Sequence, residues 1–82
     1  MSQENERPSV PSELEGRYAN YFKVGHNAVE FLLDFGQFHA GNAEVHFHTR
    51  IISIPVYAKA LLQTLGESIA QYEQTFGAID GG

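Results

Sequence analysis

The chain has 82 residues and a mass of 9.1 kDa, room for one small domain. Hydrophobic residues make up 43% and charged residues 18%, a globular balance and not a disordered one. Ten acids against five bases give a net charge of −5, which argues against the phosphate neutralisation that coats nucleic acid. The absence of Cys excludes disulfides, thiolate metal sites and thiol nucleophiles together.

Residues 1–15 carry Glu4, Glu6, Glu13 and Glu15 against Arg7, with Pro8 and Pro11 between them. No face there is apolar enough to bury, so this stretch reads as a disordered acidic tail. It has no basic start followed by an apolar run, the mark of a signal peptide. No stretch approaches the ~18 apolar residues that a membrane span needs. The expected location is cytoplasmic, with no membrane partner. A single domain is expected over residues 16–77, followed by a frayed tail over 78–82.

Residues 17–25 are rich in aromatic and β-branched types and predict a first strand. Gly25, His26 and Asn27 supply turn chemistry for a tight hairpin. Residues 28–35 alternate cleanly: Val29, Phe31, Leu33 and Phe35 share one face, Glu30, Leu32 and Asp34 the other. Residues 36–42, with two glycines and an asparagine, predict a loop. A third strand is expected from Ala43 to Ser53, with Val45, Phe47, Thr49 and Ile51 facing one way. Glu44, His46, His48, Arg50 and Ile52 then face the other.

Pro55 marks a helix start, because its missing N–H costs nothing in the first turn. Ala58, Leu61, Leu62, Leu65, Ile69, Tyr72 and Phe76 recur at helical spacing as one stripe. Gly77 stands where a left-handed C-terminal cap is expected. Gly66 lies inside the helix at a cost of ~1 kcal/mol relative to Ala, which points either to tolerated drift or to close approach of another backbone. The fold class is therefore α+β: a three-stranded antiparallel meander followed by one long C-terminal helix, β-β-β-α. The stripe should pack on Val29, Phe31, Leu33, Val45, Phe47 and Ile51.

A folded unit this small is marginal alone, and its sheet leaves one face and two edges open. A homodimer or higher homo-oligomer answers both problems. The residues expected to bind a partner are Tyr21, Leu32, His46, His48, Arg50 and Ile52, on the outer face of the sheet. Four histidines are present, and His46 and His48, two apart on a strand, would point the same way with His39 on the adjoining loop. His39, His46 and His48 are candidate ligands for a divalent transition metal, although His-x-His alone is a weak signal. The bland alternative is a solvated polar face, with Arg50 paired to an acid across the strands. No nucleophile elbow, phosphate loop or dinucleotide fingerprint is present, so no enzymatic activity is expected.

Three pieces carry a resemblance: Tyr18-Ala-Asn-Tyr-Phe-Lys-Val-Gly-His26, then Glu30-Phe-Leu-Leu-Asp-Phe-Gly36, then Thr49-Arg-Ile51 leading to Ala58-Lys-Ala-Leu-Leu62 and Tyr72-Glu-Gln-Thr-Phe-Gly77. Over residues 17–79 the chain resembles a family of small bacterial and archaeal proteins catalogued as a domain of unknown function. The resemblance names no reaction. Members often carry Ser or Thr directly before the helix proline, where this chain has Ile54. The expected function is a non-enzymatic, homo-oligomeric protein-interaction or assembly module. The alternatives are a histidine-based metal-binding or sensing protein and, disfavoured by charge, a nucleic-acid-associated regulatory protein.

Overall fold

The computed structural model describes residues 13–81. Most of the acidic tail expected over residues 1–15 lies outside the described residues; Glu13, Leu14 and Glu15 are exposed. Three strands, β1 (Tyr21–His26), β2 (Phe31–His39) and β3 (Glu44–Ser53), precede one helix, α1 (Pro55–Phe76). The strands form an antiparallel sheet in the order β1-β2-β3, the meander that the sequence predicts.

The first strand begins later than its composition suggests, because residues 17–20 do not join the ladder as strand. Asn20 instead clamps the far end of β2. Its side chain accepts from the Phe38 amide at 2.7 Å, and its own amide donates to the Gly36 carbonyl at 3.0 Å. The β1–β2 turn is made by Asn27, whose Oδ1 accepts from the amides of Val29 and Glu30, both at 2.8 Å. That local side-chain capture is the usual reason for Asn in a turn.

The second strand does not stop at Phe35. It runs through Gly36 to His39, and only residues 40–43 turn. The loop expected at 36–42 is therefore mostly strand. Gly36 signals close packing: it is the only buried residue among those described. A Cβ there would lie 2.6 Å from the His46 carbonyl oxygen and 3.0 Å from the Phe47 ring.

The third strand carries a register shift opposite Phe35 and Gly36. Thr49 pairs with Phe35 and Phe47 with Gly36, so His48 is the extra residue of a bulge. A one-residue slip inverts every side chain beyond it. The expected face of Val45, Phe47, Thr49 and Ile51 is thus split. Thr49 and Ile51 stay with Phe31, Leu33 and Phe35, while Phe47 and Val45 move to the opposite side.

The helix starts at Pro55 and ends at Phe76, as the stripe predicts. Its N-cap, Ile54, has an extended backbone and makes no side-chain cap bond. Gly77 closes it with φ +99° and ψ 168°, an extended conformation reserved in practice for glycine rather than the left-handed cap expected. Its amide donates to the Glu73 carbonyl at 2.9 Å. Beyond it, the Ile79 amide donates to Glu73 Oε2 at 2.9 Å.

The helix flanks the inner face of the sheet without closing on it. None of its residues is buried, and no hydrophobic side chain among the described residues is buried. The expected packing of the stripe on the sheet is not made within one chain. The accessible surface is 6880 Å², against about 4,900 Å² for a compact chain of this mass. The exposed terminal segments carry part of that excess, and the uncovered stripe and inner sheet face carry the rest.

Candidate interaction surface

Alternation and register place Tyr21 and Lys23 of β1, Leu32, Asp34 and Gly36 of β2, and Phe47, Arg50 and Ile52 of β3 on the outer face. At its centre Arg50 holds Asp34 in a two-pronged pair, Nε to Oδ1 at 2.7 Å and Nη2 to Oδ2 at 2.9 Å. This is the cross-strand ion pair expected of Arg50. The Arg50 hydrogen bond and charge, with Lys23 behind them, hold the Asp34 carboxyl below its ordinary value, and partial desolvation opposes them. The same pairing pushes Arg50 up.

Apolar groups flank that pair. Tyr21 and Phe47 meet edge to face across Gly36, with centroids 5.8 Å apart. Leu32 and Ile52 stand directly opposite each other at the other end. Tyr21, Leu32, Arg50 and Ile52 therefore share the face on which the sequence places them. His46 and His48 do not share it. His46 pairs with Gln37 beyond the bulge, and so turns to the inner side. His48 is held inside the chain: its Nε2 lies 2.9 Å from the Tyr18 carbonyl and its Nδ1 2.7 Å from Thr49 Oγ1. A carbonyl only accepts, so Nε2 carries a proton, and in the neutral ring Nδ1 accepts from the Thr49 hydroxyl. Phe47 joins the outer face instead. The signal for it was Gly36 within a strand-like run, a recognised mark of a bulge or close approach.

The candidate metal ligands separate in the same way. His39, Glu44 and His46 line an open hollow at the β2–β3 turn, away from His48. Glu44 is engaged by Asn42, which donates to its Oε1 at 3.3 Å. Among the described residues, no group of three or more His, Cys, Asp or Glu side chains is placed to hold a metal ion. Among the described residues, no helix is long and apolar enough to cross a membrane.

The inner face is the more apolar one. Phe22, Val24, Phe31, Leu33, Phe35 and Ile51 lie on it, with Phe22 edge-on to Phe35 at 5.8 Å. Val24, Phe31 and Leu33 face Ala58, Leu61, Leu62 and Leu65 of the helix across an open hollow of about 550 Å³. Of the expected core, Phe31, Leu33 and Ile51 lie here with Ala58, Leu61, Leu62 and Leu65, and in one chain they stay exposed or half-buried; Val29 lies before β2 and is exposed.

No curated protein and no solved structure matches the chain. One family model does, over residues 2–81, which is nearly the whole chain and includes the strands, the bulge and the helix. The chain belongs to that family, described as "Protein of unknown function (DUF3467)".

Proposed function

We propose that this chain is a non-catalytic assembly module that works as a homo-oligomer and presents its outer sheet face to a protein partner. One observation carries the reading: hydrophobic residues form 43% of the sequence, yet none is buried among the described residues. A folded domain draws most of its stability from apolar burial, and a chain that leaves its stripe uncovered gains it by association. The outer face suits a second contact because it sets apolar groups around an oriented charge pair. Tyr21, Phe47, Leu32 and Ile52 offer area, and Asp34 with Arg50 sets register.

Native mass spectrometry of untagged protein tests the reading. A metal-free homo-oligomer at micromolar concentration is the expected result. A monomer removes it, and a metal at a fixed ratio to chains replaces it with the histidine reading. Leu32→Lys and Ile52→Lys then test the outer face: both should keep the helical signal and the oligomer while weakening capture of the partner. Undiminished capture by both variants excludes that face.

A further inference from the structure

We infer that the inner hollow is filled by the helix of a second copy of this chain, with the two helices crossing antiparallel at Gly66. This rests on the homo-oligomeric reading and says how that oligomer is built.

The occupant has to be present whenever the chain is folded, because without it no hydrophobic side chain among the described residues is buried. A second copy always meets that condition at the right stoichiometry. The dimensions agree. A compact domain of 82 residues has a radius of gyration of about 12 Å and one of twice that length about 15 Å. This single chain has 15.7 Å. The exposed terminal segments contribute to that spread, and so does the helix that stands away from the sheet. The area agrees as well. If only half of its surface excess, about 1,000 Å², is covered on each of two copies, the pair buries about 2,000 Å², which enters the range of obligate homodimers.

The helix points to the arrangement. Its 22 residues extend about 33 Å. Its N-terminal half faces its own sheet across the hollow, while Ile69, Tyr72 and Phe76 continue the stripe with exposures of 40%, 51% and 72%. In the same chain Phe22, Val24 and Ile51 lie uncovered on the inner face. A two-fold axis exchanges these surfaces: the C-terminal half of each helix covers the other copy's sheet. The axis passes the helix at its centre, and the two central residues are Leu65 and Gly66. Pairing about that centre sets Leu62 of one copy against Ile69 of the other, and Leu65 against Gly66. Gly66 borders the stripe between Leu62 and Ile69, and beyond its chain neighbours and the surrounding helix backbone nothing lies within 4 Å of the position of a Cβ there. A glycine that costs helix stability and is not required by its own fold is explained by close approach of the second helix.

The chain has no Cys, so single-cysteine variants report on one position each. Gly66→Cys is expected to form a disulfide-linked dimer under mild oxidation at least ten times faster than Gln63→Cys, which stands on the wet face. Gly66→Leu should raise the dimer dissociation constant at least tenfold, although it improves helix propensity, and circular dichroism checks that it still folds. Equal oxidation rates, or a Gly66→Leu dimer as tight as the wild type, overturn the crossing while the wild-type oligomer stands. A wild-type monomer at tens of micromolar overturns both readings.

Discussion

Replacing Gly36 by Ala should destabilise this protein, although the same change in an open strand stabilises one. Gly36 sits between Phe35 and Gln37 in the central strand, under the edge-to-face pair of Tyr21 and Phe47. An added Cβ would stand 2.6 Å from the His46 carbonyl oxygen and 3.0 Å from both the Cα and the ring of Phe47. Ordinary contact begins near 3.4 Å, so β2 and β3 must part by several tenths of an ångström. Two of those neighbours are backbone atoms and cannot rotate away. Overpacking of this kind costs about 1–3 kcal/mol. The lost flexibility of the unfolded chain returns about 0.4–1 kcal/mol. The net expectation is a loss of about 1–2 kcal/mol, with about 4–8 °C in Tm for each kcal/mol in a domain of this size. Gly25→Ala is the internal control. It lies in β1 with nothing within 4 Å of its added Cβ and without positive φ, and should gain about 0.4–1 kcal/mol. Urea and thermal unfolding at one protein concentration compare the two. A Gly36→Ala protein as stable as Gly25→Ala would refute the close approach at the bulge.

Other outcomes follow from single contacts. Asn27→Ala removes the acceptor for the Val29 and Glu30 amides and should cost about 1 kcal/mol in urea unfolding, with little change in the far-ultraviolet spectrum. Ile54→Thr supplies the missing N-cap acceptor at an extended position and should gain about 0.5–1 kcal/mol; no gain would show that Ile54 is held by apolar contacts instead. Asp34 is held below its ordinary value by Arg50, so its contribution is complete above the unfolded-state pKa of ~3.9 and is lost as pH falls through the folded value. Asp34→Asn should therefore flatten the acid limb of a stability–pH curve and leave little pH dependence from this site near neutrality. An unchanged acid limb would mean that the pair contributes nothing.

Much of the architecture is legible in the sequence alone. The helix boundaries follow from Pro55, the spacing of the stripe and Gly77. The inner face of β2 follows from its strict alternation. Both signals are local, since periodicity and backbone preference act within a few residues. The Asp34–Arg50 pair was also foreseeable, because strands of a meander lie beside each other and opposite charges across them attract.

Gly36 hinted at a close approach, but the residue at which the register slips was not legible. His46 and His48 look like one row when pleating is assumed to be unbroken. The slip at Phe35/Gly36 separates them and carries Phe47 to the outer face. Its cause is a contact between two strands, the Gly36 backbone against His46 and Phe47, which no window along one strand contains. The same limit governs the core. The sequence by itself determined which residues are apolar and that they form one stripe and one sheet face. Only the tertiary structure decided that these surfaces stand apart in a single chain, around a hollow instead of a closed core. Amphipathic pattern specifies which face seeks cover, whereas the span and angle of the 53–55 connection decide whether the same chain can supply it.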